Sequence, residues 1–278
     1  MTFSTMALTP RVGSEVKTDK SSLLRGAYRH EIRELLVDRG VILIRGIEVT
    51  DDEQRTLARS LGELRLGAVK KEGDEGLQKV TLDKEQNPEY AQFFFGSKLW
   101  HMDGTYEETP PFASLLTPRV LSKTGGETEF ANNYASYADL PDDDKAQLET
   151  LQVVHSMQAA LFAAKPDCTP EEFALWCTYP KRTHPLVWRH KSGRRSLVLS
   201  TSGSHIVGMQ APDSRDLLAR LMAHATQPKY VYRHVWKMGD ILIWDNTGTM
   251  HRVRPFDASS GRRLHRFTLN GEESIAAA

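Results

Sequence analysis

Two cysteines in 278 residues, and no excess of either charge, remove several classes of function at once. Cys168 and Cys177 form neither a CxxC redox pair nor a zinc clip, so both read as reduced thiols in or near a helix, without a disulfide framework. The 36 Lys and Arg residues balance 36 Asp and Glu, which leaves no basic field for nucleic acid. Long apolar runs are lacking too: "VILI" at 41–44 is four residues, against the ~20 a membrane helix needs. The first residues do not show the basic, apolar and small-residue pattern of a secretory signal, so no membrane partner and a cytoplasmic location are expected. No repeat, low-complexity block or convincing linker divides the chain. The expected organisation is a polar N-terminal segment, 1–20, followed by one domain over 21–278.

What is present is a β-rich α+β pattern. "SSLLRGAYRHEIRELLVDRG" predicts an amphipathic helix ending near Gly40, and "VILI" a short buried strand. Thr50 caps a second helix, with acidic residues in its first turn. From 64 to 90 the Gly-, Lys- and Glu-rich composition predicts a mobile loop with a short strand at "QKVTLD". Further on, short apolar runs broken by Gly, Pro and Asn predict a sandwich or barrel, interrupted by helices at "LPDDDKAQLETL", "CTPEEFALWC" and "DSRDLLARLMAHATQ". The region 155–185 is read as a mobile lid or an ordered helical excursion.

"LWHMDGTYEETP", residues 99–110, places His101 and Asp103 two apart, and in a strand both would project from one face. A transition metal needs a third ligand, and His251 in "GDILIWDNTGTMHRVRPF" is the best candidate. Two histidines and a carboxylate leave positions open for exogenous ligands. Arg262, in "SGRRLHRFTLNG", is a natural bidentate partner for the carboxylate of an acidic cosubstrate.

"WHMDGTY", "GGETEFANNYASYADLP" and "GDILIWDNTGTMHRVRPFDASSGRRLHRFTLNGE" together resemble the signature blocks of the TauD/TfdA family of iron(II)- and 2-oxoglutarate-dependent dioxygenases. The similarity runs from about residue 35 to 273 and includes "RGVILIRG" and "RSLGEL". It implies a double-stranded β-helix, or jelly roll, with peripheral helices, in agreement with the strand reading. It also implies oxidative decarboxylation of 2-oxoglutarate to succinate and CO2, with Fe(II) as cofactor and O2 as cosubstrate, coupled to hydroxylation. The implied iron ligands are His101, Asp103 and His251. Arg262 and Thr128 would hold 2-oxoglutarate, and Arg266 would face an anionic group of the primary substrate, with a structural ion pair as its bland role. The adjacent Arg263 leaves the register ambiguous. Family members often form dimers or tetramers, so a homo-oligomer is expected.

A small to medium, hydrophobic organic acid is the expected substrate. Taurine fits poorly, because "RLGAVKKEGDEG" lacks the histidine that grips sulfonate in the taurine enzyme, and Ser97 stands where that enzyme has an asparagine contact. Asp103 argues against halogenation, for which relatives carry a small residue there. Hydroxylation at a carbon bearing oxygen would end in C–O cleavage; desaturation is a variant. Trp100, Tyr106 and Phe93–Phe95 either line the substrate pocket or pack as core, and Trp244 reads as core. His155 and His184 are candidates to approach the pocket. Lys70 and Lys71 are surface, or meet an acidic substrate. Two alternatives use the same residues: a zinc hydrolase, which gives Arg262 and Thr128 no clear purpose, and a cupin-like metal or acid sensor without turnover.

Overall fold

A computed structural model of the chain describes residues 3–66, 76–88 and 94–276. Its largest sheet has seven strands in the order β1-β2-β3-β13-β5-β15-β4. These are β1 (Ser4–Ala7), β2 (Ser14–Lys17), β3 (Val41–Ile44), β4 (Gln78–Thr81), β5 (Ala113–Val120), β13 (Ile241–Asp245) and β15 (Arg263–Thr268). A three-stranded sheet faces it, with β6 (Thr128–Asn132) between β12 (Val231–His234) and β14 (Thr249–Val253). Two smaller sheets are β7 (Gln152–Ser156) between β8 (Lys181–Pro185) and β11 (Gly203–Ile206), and β9 (Val187–Arg189) with β10 (Arg195–Leu197). This is the expected jelly roll.

The alternation of side chains explains why the central strands are apolar throughout. Ile42, Ile44, Ile241, Ile243 and Phe267 pack outward with Leu36, Leu57 and Leu61 of the helices α2 (Arg29–Arg39) and α3 (Asp51–Leu61). Val41, Leu242, Trp244 and Leu264 point inward to Phe130 and Trp236. A strand buried on both faces has no polar side to show in its sequence. Thr50 and Glu53 close the capping box at the start of α3.

Two expectations change, and a third, open between two readings, is narrowed. The first helix is two, α1 (Lys20–Leu24) and α2, separated by a turn at Gly26. Residues 1–20 are not a segment apart: β1 and β2 pair with each other, β2 pairs in parallel with β3, and Val12 and Val16 are buried. The region 155–185 is an ordered excursion containing α6 (Met157–Ala164) and α7 (Pro170–Cys177), each with a side-chain N-cap, Ser156 and Thr169. Further α-helices among the described residues are α4 (Asn133–Ala138), α5 (Asp142–Leu148) and α8 (Ala211–Ala225). The strand at "QKVTLD" is β4, whereas 67–75 with Lys70 and Lys71, and Phe93, lie outside the described residues. Cys168 and Cys177 are free, at either end of α7. No helix among the described residues is long and apolar enough to cross a membrane.

One buried acid predicts a pH effect on stability. Asp245 accepts from Thr247 N at 2.7 Å, from Thr247 Oγ1 at 2.6 Å and from Tyr134 Oη at 3.0 Å, yet complete burial pushes its pKa up to about 6. The folded value lies above the unfolded one near 4, so the native state is favoured while the acid is protonated, and that contribution is lost as pH rises through about 6. Asp245→Asn should therefore gain stability relative to wild type by about 2 kcal/mol between pH 4 and pH 7. Parallel pH dependences in urea unfolding would contradict this.

Candidate active site

His101 stands where the strand pattern ends. Its backbone makes an isolated antiparallel bridge with His251 of β14, with N···O distances of 3.1 and 2.8 Å, which joins the two histidines despite the 150 positions between them. Asp103 already belongs to the following turn, so the two ligands are presented by a bridge and a turn rather than by one regular strand. Gly104 makes this turn, at φ 73°, and a Cβ there would lie 2.4 Å from Pro111 Cδ. The turn is pinned further along by Arg65, which holds Glu107 with two bonds of 2.9 Å, and by His184 Nε2, which meets the Glu107 carbonyl at 2.9 Å.

The three side chains converge. Asp103 Oδ1 is 3.8 Å from His101 Nε2 and Oδ2 is 3.8 Å from His251 Nε2. His101 Nδ1 lies 2.8 Å from the Leu99 carbonyl, an acceptor that fixes the proton on Nδ1 and leaves the Nε2 lone pair toward Asp103. His251 is packed between Trp244 and Phe130, and burial, with His101 beside it, holds its pKa well below the usual histidine value. Burial would raise Asp103, but Arg266 and then the two histidines outweigh it and hold the carboxyl well below its usual range. Two imidazole nitrogens and one carboxylate fit a divalent transition metal such as iron.

A cavity of about 310 Å³ opens on this group. Period-two geometry brings its other polar walls together. Thr128 and Phe130 of β6 share the inward face with His251 and Val253 of β14, and Thr128 pairs with Val253 while Phe130 pairs with His251. Leu264 and Arg266 of β15 face inward in the same way, opposite to Phe267. Arg262 lines the cavity and donates from Nη2 to the Gly126 carbonyl at 2.8 Å, with its guanidinium 4.7 Å from the Phe256 ring. Arg263 turns outward to Gln86 at 2.8 Å, which resolves the register of the arginine pair. Thr128 Oγ1 accepts from Trp236 Nε1 at 3.0 Å, leaving its proton to donate. Gly126 has φ 79°, and a Cβ there would meet Arg262 Nε at 2.7 Å, so "GGET" leaves room for this guanidinium.

Arg266 also lines the cavity, hydrogen-bonds Asp103 Oδ2, and donates from Nη2 to Ser114 Oγ at 2.7 Å. Ser97 and Tyr106 line it as well, Ser97 giving its proton to the Phe94 carbonyl at 2.7 Å. Trp100 does not. It points the other way from His101, into the cluster containing Ala131, Leu197 and Met250, with the Arg252 guanidinium 4.5 Å from its ring. Its assignment to the substrate pocket is therefore corrected to core. Trp244, expected as core, is both: buried, and a wall of the cavity. Phe94 is core, and His155 and His184 stay behind the wall.

Sequence reasoning missed the roof and one wall. Met157, Ala160 and Leu161 of α6 cover the cavity, and Thr105, Ser200, Thr201 and Ser202 line it. The hydroxyl-rich run "STSGS" at 200–204 was the available signal for the latter. Ser114 gave none, although it gathers Arg266, Asn246 and Thr268 on one hydroxyl.

The chain is similar to characterised proteins over most of its length. It is 33% identical over 261 residues to the alpha-ketoglutarate-dependent 2,4-dichlorophenoxyacetate dioxygenase of Burkholderia sp. (strain RASC), covering 89% of this chain and 87% of that one. It is 32% identical over 273 residues to the alpha-ketoglutarate-dependent sulfate ester dioxygenase of Pseudomonas putida, covering 95% and 88%. The crystal structure of AAD-2 in complex with Mn(II) and N-oxalylglycine superposes with a TM-score of 0.84 at 32% identity, over 99% of this chain and 100% of that chain. The family model "Taurine catabolism dioxygenase TauD, TfdA family" matches residues 4–268. The chain thus belongs to the TauD/TfdA family and is an Fe(II)- and 2-oxoglutarate-dependent dioxygenase.

Proposed function

We propose that this dioxygenase oxidises a hydrophobic organic acid, an aryloxyalkanoate or a compound of similar shape, next to an ether or ester oxygen, so that hydroxylation ends in C–O cleavage. The observation that carries this reading is Arg266, a cation in the same cavity as the metal-ligating group, among walls that include Val80, Leu116, Met157, Leu161 and Val253. The relatives named for 2,4-dichlorophenoxyacetate and for sulfate esters support the same chemistry.

In this proposal His101, Asp103 and His251 hold Fe(II), which when bound supplies the oxidising chemistry that couples 2-oxoglutarate decarboxylation to substrate oxidation. Arg262 grips the distal carboxylate of 2-oxoglutarate, and Thr128 donates its hydroxyl proton to the same group. Arg266 takes the substrate carboxylate and, through Ser114, keeps its guanidinium beside Asp103. Ser97 and Tyr106 complete the substrate contacts, while the α6 side chains exclude water. The enzyme works in the cytoplasm as a homodimer or homotetramer, the assembly to be read by light scattering.

The test compares an aryloxyacetic acid with its neutral methyl ester in wild type and Arg266→Met. The acid should lose about a hundredfold or more in kcat/KM relative to the ester, as expected for an unpaired buried carboxylate. Reading both on one variant cancels any loss of metal caused by freeing Asp103. An equal loss for acid and ester would contradict substrate recognition by Arg266.

A further inference from the structure

The cavity contains hydroxyl groups that the roles given above for metal and 2-oxoglutarate binding leave unused. Thr105 Oγ1 lies 2.7 Å from Ser202 Oγ, which lies 2.8 Å from His155 Nδ1. Thr105 and Ser202 line the cavity, whereas His155 is fully buried behind them. That burial pushes the imidazole pKa down to about 3, so it is neutral, with one N–H and one lone pair. Whichever nitrogen carries the proton, the three groups hydrogen-bond in one consistent sense. The chain then ends at Thr105 with either a proton or a lone pair still to be satisfied. Beside it, Ser200 Oγ accepts from Met102 N at 3.4 Å and Ser202 N at 3.3 Å, and its own proton meets no acceptor among the described residues. None of these three hydroxyls carries a charge, so the face offers a guest dipoles rather than an ion.

We infer that Thr105, Ser200 and Ser202, backed by His155, form a subsite for a neutral hydroxyl group on the primary substrate. A hydroxyl both donates and accepts, so it satisfies Ser200 and either sense of the Thr105 chain. The inference deepens the proposed function and rests on it for the other end of the substrate, the carboxylate at Arg266. His155 is a positioning residue here, since it acts through Ser202. A site built around buried hydroxyls discriminates against a guest that leaves them unpaired.

The experiment is anaerobic titration calorimetry of the iron- and 2-oxoglutarate-loaded enzyme with hydroxyphenoxyacetic acids and their methyl isosteres. At least one hydroxy acid should bind roughly tenfold tighter than its methyl counterpart, and the ratio should fall to about one in both Ser202→Ala and Thr105→Val. Taking the ratio within each protein removes differences in folding or metal content. Methyl isosteres that bind as tightly, or a preference that survives both substitutions, would overturn the subsite. Phenol against toluene repeats the comparison without a carboxylate. If neither acid class binds but phenol is still preferred, the organic-acid reading fails and the subsite stands; if phenol shows no preference either, the subsite falls.

Discussion

His101→Ala or Asp103→Ala should abolish succinate formation and reduce bound iron to near zero, while the exposed His30→Ala leaves both unchanged. The reason is the economy of the donor set. Among the described residues, His101, Asp103 and His251 are the group of metal-binding side chains whose ligand atoms lie within 4.8 Å of one another, and no further carboxylate or histidine stands by to replace one. Asp103→Ala carries a second consequence, because Arg266 then keeps a partly buried positive charge without its carboxylate partner. Iron content and 2-oxoglutarate turnover should fall together in both variants. Turnover by His101→Ala at the wild-type rate would remove this histidine from the metal site.

Arg262→Ala should raise the 2-oxoglutarate concentration needed for half-maximal rate by about a hundredfold or more, the cost of removing one side of a buried, hydrogen-bonded charge pair. Iron binding should survive. Arg262 is 4% exposed, held by the Gly126 carbonyl and the Phe256 ring, so its guanidinium is oriented before the cosubstrate arrives. Arg262→Lys should recover only part of the loss, since an ammonium keeps the charge without the planar fork. An unchanged requirement in Arg262→Ala would assign the cosubstrate elsewhere. Arg263 cannot take the role, because it points to Gln86.

The metal group was legible because its residue types are chemically restrictive and the blocks occur in order. His101 and Asp103 were identified although the strand argument for them was only partly right: a bridge ends at His101 and a turn brings Asp103 round. A sandwich or barrel was legible from short apolar runs broken by Gly, Pro and Asn, and the family resemblance narrowed it to a jelly roll. Which strands pair is a long-range matter, and the adjacency of β13 to both β3 and β5 is written in no local pattern. The split of the first helix at Gly26 was hidden by helix-forming residues on both sides. Trp100 and Trp244 show the limit for aromatic residues. One turns into the core and the other walls the cavity, and composition gives no way to choose. The Ser202 hydroxyl meets His155, 47 positions away, a contact created only by the pairing of β7 with β11.

The most direct measurement is succinate release from the purified protein with Fe(II), ascorbate, O2 and 2-oxoglutarate, with and without aryloxyalkanoic acids. Succinate should rise with added acid in step with its cleavage, fail in His101→Ala, and not be restored by zinc. No acid raising succinate above the substrate-free rate would contradict the organic-acid assignment, and acid cleavage that proceeds without 2-oxoglutarate consumption would contradict the dioxygenase mechanism itself.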